Sequence, residues 1–87
     1  MRSWYMLAGN EPEKLKNAFN DYYSSRGFPR RIALWKWKNS YWICSPREKK
    51  QEILNTFTSY RVVEFISAPS PDDIEFIDGD RNALVTS

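Results

Sequence analysis

The spacing of apolar and polar positions changes several times along the chain, and each change marks an element. Residues 2–8, Arg-Ser-Trp-Tyr-Met-Leu-Ala, form a short aromatic run stopped by Gly9-Asn10, which predicts a strand. Beyond it Leu15, Ala18, Phe19, Tyr22 and Tyr23 recur at helical spacing and place one apolar stripe on a helix. Asn10 with Glu13 makes a capping-box-like start, Pro12 suits the first turn, and Gly27 stands where a helix ends. Two β-prone runs follow, Arg31 to Lys38 and Tyr41 to Ser45, separated by Asn39-Ser40 as a two-residue turn.

A second helix is predicted from Ser45, Pro46 and Glu48, a Ser-x-x-Glu start with proline at the first helical position. Its apolar face is Ile53, Leu54, Phe57 and Tyr60, whereas Arg47 to Glu52 are all polar and should project into solvent. Arg61 to Ser67 read as the last full strand. Ala68 to Asp73 form a proline-marked loop, and Ile74 to Val85 predict a small terminal hairpin turning at Asp78-Gly79. The order β-α-β-β-α-β is the ferredoxin-like plan: an α+β sandwich in which two helices cover one face of a four-stranded antiparallel sheet. Residues 1–69 make that domain and residues 70–87 an acidic extension, a strand or hairpin that pairs with the sheet or with a partner subunit.

Residues opposite each other in an antiparallel hairpin share a face. A turn at Asn39-Ser40 therefore separates Trp35, Trp37, Trp42 and Cys44 from Lys36, Lys38, Tyr41 and Ile43. Burying two unpaired lysines beneath helices is costly, so the tryptophan side is expected under the helices, together with Trp4, Met6, Val63 and Phe65. The open face is then Tyr5, Leu7, Leu34, Lys36, Lys38, Tyr41, Ile43, Val62, Glu64 and Ile66. Such a surface is apolar enough to mark an interface. Its occupant is an identical subunit, the chain's own Ile74–Val85, or a partner; a one-residue slip in the turn would exchange the two faces.

Composition narrows the chemistry. With 87 residues the chain has room for one core, and aromatics at 16% supply large side chains to fill it. One cysteine and no histidine exclude an intramolecular disulfide and all but exclude a zinc site within one chain. Asp78, Asp80 and Asn82 have the spacing that begins a calcium loop, but Ala83 stands where that loop needs glycine. The commonest general base is missing, Cys44 is expected buried and inert, and the carboxylate pairs Asp72-Asp73 and Glu11/Glu13 are explained by solvation and capping. No metal, cofactor or enzymatic activity is expected. No apolar run approaches a membrane span, and residues 1–10 are too short and too soon interrupted for a signal peptide, so a cytoplasmic protein is expected.

The charge is asymmetric. Up to Arg61 there are twelve basic against five acidic residues, and from Val62 onward one basic against six acidic. Arg30, Arg31, Arg47, Lys49 and Lys50 are candidate secondary contacts to an anionic partner. Tyr5 and Tyr41 flanked by Lys36 and Lys38 resemble in arrangement the stacking platform of RNA-recognition-motif domains, which implies single-stranded nucleic-acid binding as one reading. The plan and the Ser40-Tyr41-Trp42-Ile43 strand are also similar to the small ferredoxin-like nucleases of the CRISPR spacer-acquisition family. That resemblance implies dimerisation but no nuclease activity, because Leu7-Ala8-Gly9-Asn10 lacks the family's metal-binding acid. The leading expectation is a protein-interaction module, a homodimer acting as a small inhibitor or adaptor of the kind mobile elements encode, with nucleic-acid binding as the alternative.

Overall fold

A computed structural model describes residues 2–9, 11–70 and 72–84 of the chain. It is an α+β structure with the order β1 (Arg2–Ala8), α1 (Pro12–Ser25), β2 (Ala33–Trp37), β3 (Ser40–Pro46), a 3₁₀ turn (Arg47–Lys49), α2 (Lys50–Thr56), β4 (Arg61–Phe65) and β5 (Glu75–Gly79). The sheet has five strands instead of the expected four, ordered β4-β1-β3-β2-β5, and each neighbouring pair is antiparallel. The added strand comes from the C-terminal extension: Asp78-Gly79, where a hairpin turn was expected, are the last two residues of β5, which pairs with β2.

Helix α1 buries Leu15, Phe19 and Tyr22, the stripe visible in the sequence. The capping role expected of Asn10 lies outside the described residues, as does Val85 at the end of the predicted hairpin. At the other end Gly27 takes φ 78°, Gly27 N–H donates to the Ser24 carbonyl and Phe28 N–H to the Tyr23 carbonyl. This is a Schellman stop, and the Phe28 ring contacts the Tyr23 ring at 5.6 Å as its apolar closure. Helix α2 begins later than predicted. Ser45 does not cap it; Ser45 is buried in β3 opposite Ser3, and its hydroxyl donates to the Pro46 carbonyl.

The β2–β3 turn is Lys38-Asn39, so the expected pairing is shifted by one residue on each strand: Trp35 faces Trp42 and Trp37 faces Ser40. Ser40 accounts for this register. Its hydroxyl donates to the Trp37 carbonyl at 2.8 Å and accepts the Trp42 indole N–H at 2.8 Å, so it belongs in the strand as the closing residue. Lys38 leaves the strand and takes φ 53° in the turn. The shift preserves which residues share a face, and the tryptophans stay together.

The face that the helices cover is the opposite of the one expected. Tyr5, Leu7, Leu34, Tyr41 and Ile43 are buried in one core with Leu15, Phe19, Tyr22, Ile53 and Phe57 of the two helices. Trp4, Ala33, Trp35, Trp42 and Cys44 form a second core on the other face, closed by Ala68, Ile74, Phe76, Ala83 and Leu84. The two lysines permit this arrangement. Lys38 is in the turn, and Lys36 lies in the penultimate residue pair of the hairpin, half-buried, with its ammonium 6.0 Å from the centre of the Tyr41 ring; a long stem lets such a side chain be covered in part without burying its charge. Neither lysine must be buried for that face to lie under helices.

Strands β4 and β5 stand at opposite edges, and of the segment that joins them Ala68 and Ile74 pack on the tryptophan face. That segment, followed by the turn after Gly79, turns both faces of the sheet into core. No helix among the described residues is long and apolar enough to cross a membrane.

Candidate functional site

Among the described residues strand β4 pairs with β1 alone, which makes it an edge of the sheet. An edge strand offers unpaired N–H and C=O groups that can accept a further strand. Along this edge the apolar side chains Val63, Phe65 and Ile66 are exposed at 38%, 41% and 86%. Val63 lies opposite Met6 and Phe65 opposite Trp4, on the tryptophan face, and the Phe65 ring sits 5.1 Å from that of Trp42. On the helix side Glu64 accepts from the Ser3 hydroxyl at 3.0 Å and pairs with Lys50 of α2 at 2.9 Å. These two partners hold the Glu64 carboxyl below the ordinary carboxylate range, Lys50 contributing most, and the same contact raises the Lys50 ammonium above its ordinary value.

The other edge is differently made. β5 carries Glu75 and Asp78, and its pairing with β2 is broken by an irregularity between Leu34 and Trp35. Charges and bulges are the devices that discourage edge-to-edge pairing. β4 also carries two charges, Arg61 and Glu64, but its register is regular and it exposes Val63 and Phe65, with Ile66 directly after its last residue.

Of the residues expected on an open face, Tyr5, Leu7, Leu34, Tyr41 and Ile43 lie beneath the helices, so the structure brings them together as core. Val62 is half-buried against that core, Glu64 belongs to the β4 edge and Ile66 follows the last residue of that strand, and Lys36 and Lys38 sit at or beside the β2–β3 turn, with the Lys38 ammonium 4.7 Å from the Trp37 ring. Arg30, Arg31, Arg47, Lys49 and Lys50 gather at the opposite end of the sheet, where β2 begins and β3 ends. There Arg31 N–H donates to Asp80 and Lys49 lies 4.0 Å from Glu52. The basic residues therefore divide between two ends. Val63 and Phe65, expected inside, are the apolar side chains that the edge exposes; the signal was their place in the last strand of a β-α-β-β-α-β order, whose antiparallel plan leaves that strand outermost.

Other candidates have structural occupations. Trp35 donates its indole N–H to the Cys44 sulfur at 3.2 Å, and burial pushes that thiol's pKa up, which disfavours the reactive thiolate. Asp78 accepts from Asn20, and Asp80 accepts from the backbone of Arg31 and Asn82. Among the described residues no three His, Cys, Asp or Glu side chains gather as a metal-ligand group. A groove of about 410 Å³ between α1 and α2 is lined by polar residues including Lys14, Asn17, Asp21, Thr56 and Ser59.

Comparison with protein-family models, with curated proteins and with solved structures gave no match.

Proposed function

We propose that this chain is a protein-interaction module that acts by binding, and that it docks an extended polypeptide segment as an added strand along β4. The carrying observation is the combination of an unpaired strand edge with Val63, Phe65 and Ile66 exposed beside it. Main-chain hydrogen bonds along such an edge supply affinity, and alternate side chains supply selectivity. The order β4-β1-β3-β2 with its two helices favours the ferredoxin-like reading, β5 being an appended strand. Nucleic-acid binding has less support. Its stacking platform needs Tyr5 and Tyr41 at the surface, and both lie beneath the helices.

Selection from a displayed library of random linear peptides tests the reading. Enrichment of alternating apolar sequences that bind the wild-type chain and fail on Ile66→Lys and Phe65→Lys is the expected result. Enriched peptides that bind both variants unchanged would place docking elsewhere and end the proposal.

A further inference from the structure

Resting on the reading of β4 as a docking edge, we propose that the strand which fits it is β4 of a second copy of this chain, paired antiparallel about a two-fold axis through Glu64. Two identical antiparallel strands related by an axis normal to the sheet keep the same faces on the same side, so only residues of equal parity can oppose each other. With the axis at Glu64, Val63 meets Phe65 of the second copy twice, and Val62 lies across from Ile66, the residue that follows the last one of the strand. Both exposed apolar side chains of the strand then face an apolar one, and Ile66 just beyond it, the most exposed large hydrophobic residue among those described, comes beside Val62 of the second copy. Moving the axis to Val63 loses this match, because Arg61 would oppose Phe65 and Val62 would oppose Glu64.

The axis at Glu64 sets two carboxylates opposite each other, which alone would repel. Each copy carries its own counter-charge: Lys50 Nζ is 2.9 Å from Glu64, held from above by α2. Two such pairs around a two-fold alternate in sign, so each lysine also attracts the carboxylate of the other copy. On β5, Glu75 lies opposite Lys36 of β2 and Asp78 accepts from Asn20, so those carboxylates are engaged within the chain on the paired side of the strand. The product is one continuous sheet with both helix layers on the same side.

Light scattering across a dilution series, combined with cysteine cross-linking, tests the inference. The expected result is a dimer that Ile66→Lys weakens about tenfold or more. Glu64→Cys should cross-link under mild oxidation, since directly opposed residues fall within disulfide reach; Val62→Cys should not, as the two copies of that residue would be about 13 Å apart along the strands. A chain monomeric at every concentration, with displayed peptides still binding β4, overturns the second copy and leaves strand docking standing. A dimer unaffected by Ile66→Lys overturns the inference and weakens the reading beneath it, and cross-linking through Val63→Cys alone refutes the axis.

Discussion

The hydroxyl of Tyr22 on α1 donates to the carboxylate of Glu52 on α2 at 2.6 Å, and Arg26 reaches the same carboxylate at 3.4 Å while lying over the Tyr22 ring. This is the polar tie between the two helices above the sheet. Removing only the hydroxyl, with Tyr22→Phe, should cost about 1 kcal/mol, below the roughly 1.5 to 3 kcal/mol of a buried hydrogen bond to a charged group because Glu52 is partly solvated. Urea titration of the two proteins measures it.

The same tie predicts how stability depends on pH. Glu52 is lowered, chiefly by the Tyr22 hydrogen bond, and Glu64 is lowered, chiefly by Lys50. A lowered carboxyl contributes stability above its unfolded value of about 4.3, and loses it as pH falls through the folded value. Tyr22 is raised, first by burial and then by Glu52, and Lys50 is raised by Glu64. Their contributions are complete below about pH 10 and lost above it. Urea midpoints should form a plateau between about pH 5 and 9 with a decline on both sides. Tyr22→Phe should make both declines shallower; unchanged slopes would show that the tie does not form in solution.

The tryptophans are predicted to differ in importance. Trp35 and Trp42 are buried, each with its indole N–H satisfied, whereas Trp37 is half-buried at the turn. Trp35→Ala and Trp42→Ala should each cost about 3 to 5 kcal/mol, the range for deleting a large buried aromatic. Trp37→Ala should cost markedly less, and thermal or urea unfolding of the three variants gives the order.

The elements of this fold are legible because their periods are local. Leu15, Phe19 and Tyr22 specify a helix wherever it docks, and the partition of Trp35, Trp42 and Cys44 from Leu34, Tyr41 and Ile43 needs only the parity of one hairpin. The face that the helices choose is not local. It follows from whether anything covers the other face, and Ala68, Ile74, Ala83 and Leu84 cover it from a segment that carries no strong signal beyond its prolines and acids. With both faces apolar, a single lysine cannot decide between them, and Lys36 sits near enough to the hairpin end to satisfy either. The exposure of Val63 and Phe65 is likewise set by topology: the same five residues in a central strand would be buried.

Gly79 should resist substitution. It ends β5 at φ 102°, and a Cβ there would meet the Ile32 carbonyl oxygen at 2.6 Å and the Ala33 Cα at 2.7 Å. Both obstacles are backbone, Ala33 being the first residue of β2 and Ile32 the one before it, so neither can swing aside. Gly79→Ala combines a disfavoured conformation with a steric clash and should cost about 1 to 3 kcal/mol. Loss of amide protection centred on β5 and the start of β2, measured by hydrogen exchange, would localise the damage.

The C-terminal segment is predicted to be part of the core. Phe76 packs edge-on against Trp35 at 5.5 Å, Ala83 is fully buried, and the N–H of Asp80 donates to the Ile32 carbonyl at 2.8 Å. A chain ending at Pro69 loses β5 and the described residues that close the tryptophan face beyond Ala68. Trp4, Trp35 and Trp42 would then meet water across a contiguous apolar surface, a condition that favours association over solution as a monomer. The truncated protein should show red-shifted tryptophan emission, increased binding of a hydrophobic dye and aggregation at concentrations where the full chain stays clear. Blue, dye-silent emission from the truncated chain would mean that the tryptophan face is closed by something other than this segment.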